Sequence, residues 1–323
     1  MKEKLKNPVY RGEEAQWPHQ IPIKGWLDIG KRVWHEMKVD HVQIVSAGVA
    51  FYFFLSIFPT IVAAISIYSF ILEPSQIEEQ ISRLNLILPE KAFGMISDIL
   101  DPVIKQSRKE IGWGLFISLL ISIWSANKGT NALFQGVNIA YDELDNRNIF
   151  KKNLITLLFT LCGLVLGLIS LLIVIFFPLL IDKLSLPSAL EKTLTWLRWV
   201  ILGVILITSL SMVYKIAPNR RSPRFRWVSW GAILGTGLWL AGSMLFSWYV
   251  SNFGSYDDLY GSFAAVAILM LWLFLTAFIV LMGAEINSEM EHQTRYDTTI
   301  GQQRPMGERN AYHADRCAVD CDD

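Results

Sequence analysis

Asn127, Asn131, Gln135 and Asn138 recur at i, i+4, i+8 and i+11 within a largely apolar stretch, with Lys128 beside the first of them. On a helix this spacing gathers the amides on one face. In hydrocarbon an amide must meet a partner or water, so that face points into a helix bundle and not at lipid. Two chemistries fit. One is a polar cavity or path for a substrate; the other is interhelical hydrogen bonding, worth ~0.6 kcal/mol per contact, with the lysine snorkelling to water. Glu285 closes a later apolar run at the same leaflet and either pairs with Lys128 or faces water. Asn127, Lys128, Asn131, Gln135, Asn138 and Glu285 are therefore the candidate substrate-path residues.

Arg220, Arg221, Arg224 and Arg226 form a second cluster. Each basic side chain at an anionic bilayer surface contributes about 1 kcal/mol, so the cluster suits lipid head groups, and it also fixes topology. Tyr256, Asp257, Asp258 and Tyr260 lie between Gly254 and Gly261 and make an outer loop, a solvated turn or the gate of a vestibule. Gly163 with Gly167, and Gly231 with Gly235, have the spacing of close helix contacts, and Pro59 and Pro178 are sites for kinks or breaks.

Several matches to catalytic patterns fail on context. Ser125 and Lys128 satisfy S-x-x-K, but the companion motifs are missing and the setting is a membrane helix. His313, Cys317 and Cys321 offer donors at i, i+4 and i+8 without an evident fourth. His19, His35, His41 and His292 are isolated, and no P-loop, HExxH, GxSxG or dinucleotide fingerprint occurs. The sequence thus assigns no catalytic residue, no metal and no cofactor. Cys162 lies in a span, and nothing calls for a disulfide.

The elements that must position these residues are membrane helices. The chain of 323 residues is 52% hydrophobic and 18% charged, with the charge confined to short stretches. A span needs roughly 20 apolar residues. The uncharged runs predict an all-α, polytopic membrane bundle of six transmembrane helices near residues 42–72, 111–138, 153–181, 196–215, 227–250 and 260–284. Twenty of the 29 Lys and Arg fall on one side of this arrangement and eight on the other, with Lys128 inside a span, which places both termini in the cytoplasm. Trp113, Trp196 and Trp248 at outer ends, and Trp227 and Trp230 at an inner end, agree.

Residues 1–23 read as a flexible cytoplasmic arm and 24–290 as the membrane domain. The polar residues 291–323 have no hydrophobic period and read as a disordered tail. Before the first span, Trp26, Val33, Trp34 and Met37 mark an amphipathic helix for the inner leaflet or the bundle. Two further amphipathic helices are expected in the first periplasmic loop, striped by Ile77, Ile81, Leu84, Leu88 and by Phe93, Ile96, Leu100, Ile104.

The stretches AGVAFYFFLSIFP (47–59), WSANKGTNALFQGVNIAYDELDNRNIF (124–150), YKIAPNRR (214–221), FSWYVSNFGSYDDLYGS (246–262) and GAEIN (283–287) occur in this order. Together they resemble the YihY/BrkB family of bacterial inner-membrane proteins over roughly residues 25–290. The resemblance implies a six-helix protein of the plasma membrane. Members have been labelled ribonuclease BN or linked to virulence, serum resistance and envelope-lipid export. The ribonuclease label has no support in these residues, which offer no evident metal-ligand cluster and no basic aromatic groove for RNA. The expected function is a transporter or export factor for an envelope lipid or other amphipathic substrate, not an enzyme, with a non-transporting scaffold for envelope assembly as the alternative. Membrane lipids are the expected partners, with a homo-oligomer or envelope-assembly proteins beside them and no nucleic acid.

Overall fold

A computed structural model of the chain describes residues 10–71, 108–183, 188–252 and 263–318. Among these residues the regular structure is helical: α1 (Ile23–Val39), α2 (Val42–Ile71), α3 (Arg108–Ala140), α4 (Ile149–Lys183), α5 (Ser188–Ile216), α6 (Phe225–Asn252) and α7 (Phe263–His292), preceded by a 3-10 turn at Pro18–Gln20. An isolated antiparallel bridge joins Pro223 to Thr299. The two loop helices expected between residues 77 and 104, and the outer loop of Tyr256, Asp257, Asp258 and Tyr260, lie outside the described residues.

Four helices are long and apolar enough to cross a membrane, at Ile149–Ser170, Trp196–Ile216, Phe225–Asn252 and Ala264–His292. The pair Ile23–Val39 and Val42–Ile57, bent by 65°, makes a fifth if it is one broken span. The expected count of six is therefore not reached by length and composition among the described residues. α2 and α4 run on through Pro59 and Pro178 without the expected breaks.

The chain divides into two compact units, residues 51–129 and residues 1–50 with 130–323. In the smaller unit, Thr60 Oγ1 meets Ser122 Oγ at 2.5 Å, and a Cβ on Gly129 would lie 3.1 Å from the Phe53 ring. In the larger unit α6 packs on α5 and α7, α1 on α7, and α4 on α5. α1 turns Gly25, Ile29, Val33 and Met37 inward at four-residue spacing and leaves Trp34 exposed, so its buried face is rotated from the expected one. It ends at Asp40, and His41 with φ of 50° turns the chain into α2.

Asn287 ties α7 to α6. Its Oδ1 accepts from Gly231 N at 2.8 Å, and its Nδ2 donates to Val228 O at 3.1 Å. Tyr214 Oη reaches from α5 to donate to Val280 O at 2.8 Å. These approaches need glycine: a Cβ at Gly231 would stand 2.4 Å from the Asn287 amide, and one at Gly283 2.3 Å from Tyr214 Oη. Gly231 thus makes the close contact its spacing predicts, whereas Gly163 and Gly167 face open space.

Both terminal segments depart from expectation. The described part of the arm is docked: Ala15 and Ile21 are buried, Gln293 Nε2 donates to Arg11 O at 2.8 Å, and Arg295 N donates to Glu13 O at 2.8 Å. The tail to residue 318 is packed as well, with Thr294, Thr298, Thr299 and Ala314 fully buried. It has no hydrophobic period because polar bonds organise it. Arg309 donates from Nη2 to Arg295 O at 2.6 Å and from Nε to Arg304 O at 3.1 Å. Asp315 Oδ1 accepts from the backbone of Gly307 and Arg309 at 2.9 and 2.8 Å.

Gly25→Val would drive a side chain into the Arg11 carbonyl, which lies 2.1 Å from an ideal Cβ. Overpacking of this kind costs about 1–3 kcal/mol. The variant is expected to melt several degrees lower and to be cut by protease within residues 10–22, whereas Gly30→Val, with no heavy atom within 4 Å of its Cβ, keeps the wild-type pattern.

Candidate functional site

The ends of α1, α3 and α7 and the tail converge in the larger unit on a dense polar cluster. α1 supplies Arg32, Glu36 and Asp40 at i, i+4 and i+8; α7 supplies Glu285, Glu289 and His292 at i, i+4 and i+7, so each helix presents one polar stripe. Arg32 Nε pairs with Glu289 Oε2, and its Nη2 donates to Gln293 Oε1 at 2.7 Å and to Glu289 O at 3.2 Å. Asp40 lies close enough to Glu285 for the two carboxyl groups to act on one another. From the tail His313 enters, its Nε2 at 3.1 Å from Asp142 Oδ2 and its ring 4.9 Å from that of His292.

Beside this cluster lies a second arrangement. Arg220 and Glu291 form a two-pronged ion pair at 2.5 and 3.1 Å, with side chains 1% and 0% exposed. Thr298 Oγ1 donates to Glu291 Oε2 at 2.5 Å, and the guanidinium stacks 4.4 Å from the Tyr141 ring centroid. The bidentate geometry and the stacking are arginine chemistry that lysine could not reproduce. A polar cavity of about 850 Å³ opens here, lined among others by Asp142, Glu143, Arg220, Arg221, Arg304 and Asp315. Burial raises the carboxyl of Glu143 above its usual range, against the pull of a 2.7 Å bond from Tyr312 N.

The expected substrate-path residues separate. Asn138 is buried as interhelical glue, donating to Phe134 O and Ala217 O at 2.7 and 3.1 Å and accepting from Asn219 N at 2.9 Å. Gln135 is exposed and donates to Asn131 at 2.7 Å. Lys128 and Asn127 belong to the smaller unit, where the Lys128 ammonium sits 5.6 Å from the Trp124 ring centroid. Glu285 belongs to the carboxylate cluster at the end of α7.

The arginine cluster is largely committed within the protein. Arg221 Nη1 lies 3.5 Å from Asp297 and its Nη2 donates to Gln302 O at 2.9 Å; Arg224 Nε donates to Thr299 O at 2.9 Å. Arg226 stacks on the Trp17 ring at 4.4 Å. Arg220 in particular is paired to Glu291 with its side chain 1% exposed. Sequence reasoning missed Arg32, Asp40, Glu289, Glu291, His292 and His313 as a group. The available signal was the four-residue spacing of the α1 and α7 stripes, hidden by reading residues 291–323 as disordered.

A helical membrane bundle whose polar residues gather at one end, under a cap of terminal segments, defines the class. Residues 33–307 match the family described as virulence factor BrkB, and the chain belongs to that family. Among its relatives, the ribonuclease-like protein YfkH of Bacillus subtilis is 26% identical over 287 residues, covering 88% of this chain and 98% of that one. A UPF0761 membrane protein of Haemophilus influenzae is 21% identical over 266 residues, 82% and 95% of the two chains. Another, of Tolumonas auensis, is 24% identical over 276 residues, 80% and 83%. No solved structure matches the chain.

Glu291→Gln would leave the Arg220 charge buried without its counter-ion, at a cost of about 3–5 kcal/mol. The double change Arg220→Met with Glu291→Leu removes both charges and is expected to recover a large part of that loss, as read by thermal melting of the full chain. The carboxyl of Asp297 is held below its usual range. Burial pulls it upward, but bonds from Thr299 and from Arg304 N outweigh this. A lowered acid stabilises the fold above its unfolded value of about 3.9 and loses that contribution as pH falls through the lower folded one. Protease sensitivity of residues 295–315 should therefore rise below about pH 4 in wild type, and the rise should be blunted in Asp297→Asn.

Proposed function

We propose that the protein handles a membrane lipid, moving or handing on an amphipathic envelope component in the bacterial inner membrane with both termini in the cytoplasm. The observation that carries this reading is an apolar furrow of about 660 Å³ between α4 and α5, with Leu158, Phe159, Leu166, Met212 and Ile216 in its walls. Gly163 and Gly167 line it, and no heavy atom lies within 4 Å of where their Cβ atoms would stand. The glycine spacing keeps the furrow open instead of closing it on a neighbour. Such a lining rewards an acyl chain and offers little to an ion or a sugar. Lys215 adjoins the furrow at Ile216, and Lys151 lies two turns before Leu158 on α4, so basic side chains flank the end where an anionic head group would sit.

In this reading the protein is not an enzyme, and membrane lipids are its partners. The ribonuclease-like name of YfkH is not carried over: the arginines that would meet an RNA backbone already bind Glu291, Asp297 and tail carbonyls. One observation favours a second reading, a non-transporting scaffold for envelope assembly. Asn138 makes three hydrogen bonds within the packing, to Phe134 O, Ala217 O and Asn219 N, a structural role that a scaffold would share.

Filling the furrow separates the two. Gly163→Phe with Gly167→Leu should be accommodated, because both positions face open space. Wild type extracted in native-membrane nanodiscs is expected to carry a lipid enriched over the bulk membrane, and the filled variant to lose that enrichment while melting as wild type does. Bulk-like lipid around wild type would overturn lipid handling and leave the scaffold.

A further inference from the structure

We propose that Glu289, His292 and His313 form a binding site for one divalent transition-metal ion, which clips the tail to the end of α7. Their donor atoms lie within 4.8 Å of one another. Ligands around a zinc at ~2.0–2.1 Å stand about 3.4 Å apart, so small side-chain rotations bring this set to coordinating distance. Glu289 and His292 are i and i+3 on the last turn of α7, a Glu-x-x-His step that puts a carboxylate and an imidazole on one helix face. His313 arrives from the tail, so the ion would join segments distant in sequence.

Three further observations point to a cation. His313 is 4% exposed, and its Nδ1 is buried without a hydrogen-bond partner, as is Nδ1 of His292. The 3.6 Å between His292 Nδ1 and Glu289 Oε2 is too long for a hydrogen bond but spans what an ion would bridge. His313 already gives its other nitrogen, Nε2, to Asp142 at 3.1 Å, the outer carboxylate that orients a metal-bound imidazole and raises its basicity. Glu36, Asp40 and Glu285 lie close enough for their charges to act on one another, with Asp142 acting on Asp40 and Glu289 on Glu285, while Arg32 pairs with one oxygen of Glu289. A carboxylate oxygen has two lone pairs, so Oε2 can face an ion and keep the arginine contact.

Two imidazoles with one carboxylate suit a borderline first-row cation such as Zn²⁺ better than Ca²⁺ or Mg²⁺, which take oxygen ligands. The sequence spacing grouped His313 with Cys317 and Cys321. The fold groups it instead with α7, and among the described residues Cys317 is not part of the donor set. Glu289 is 1% exposed, so the ion would be shielded from a polymeric substrate, and the role is to hold the cap.

The test uses the untagged full-length chain in nanodiscs, stripped with chelator and titrated with Zn²⁺ and with Co²⁺. Binding of one ion per chain is expected, with a visible Co²⁺ spectrum of nitrogen and oxygen ligation. The tail between residues 295 and 318 should become more protease-sensitive on stripping and recover on reloading. His313→Gln and His292→Gln should each abolish stoichiometric binding, and Asp142→Asn should weaken it about 10–100-fold. The Asp142 variant serves if a histidine variant does not fold. Failure of the wild-type protein to bind an ion stoichiometrically overturns the site. So does unchanged affinity in all three variants, which would assign the metal to surface histidines.

Discussion

A guanidinium and a carboxylate that are both withdrawn from water cannot be left apart, and the Arg220–Glu291 pair sets the terms for the end of the bundle where it sits. Removing an ion from water costs several kcal/mol even after relaxation, so each partner is tolerable only where the other is. Arg220 lies between α5 and α6, and Glu291 lies on the last turn of α7. Their pairing therefore fixes the end of α7 against the α5–α6 connection. Thr298 completes the carboxylate, and Tyr141 gives the guanidinium a ring face. The tail's first residues and the end of α3 are thereby held at the same point. The cap is specified by polar geometry, which explains how a segment with no hydrophobic period can still be packed.

That satisfied polar end contrasts with the furrow between α4 and α5. Where α6 meets α7, glycine brings backbones close enough for Asn287 to bond across. Where α4 meets α5, glycine removes side chains without any neighbour moving in. A dry void would forfeit dispersion contacts on every wall, and under the proposed function lipid chains fill what protein does not. The same residue type thus does opposite things at the same four-residue spacing, and what decides between them is whether a hydrogen-bonding partner such as Asn287 faces it.

This also explains what could be read before the fold was known. Asn138, Asn219, Tyr214, Gly283 and Asn287 all fall in the stretches that carry the family resemblance, and the structure brings them into contact: Asn219 N reaches Asn138, and Tyr214 lies against Gly283. The helical class and the long apolar runs were legible because hydrophobic length is a local property. The choice between path and glue for Asn138 was not, because it depends on carbonyls 79 residues away. Arg220 to Arg226 read as a surface patch for the same reason: composition records charge, while partners such as Glu291 and Asp297 become neighbours only through the docked tail. His292 looked isolated, and His313 was grouped with Cys317 and Cys321, because 21 positions separate the two histidines in the chain.

The carboxylates at the ends of α1 and α7 crowd together, and Glu289 has an arginine and an imidazole beside it. Asp40 and Glu285 lie close enough for their carboxyl groups to act on one another. At Glu289 the partners are imidazoles, which can hold lone pairs as well as protons. Both Nδ1 atoms are buried without a hydrogen-bond partner and His313 Nε2 is engaged by Asp142, so in the proposed site one metal ion takes both Nδ1 lone pairs. In the proposed site the polar cap is closed by an ion placed by the donor atoms that face it.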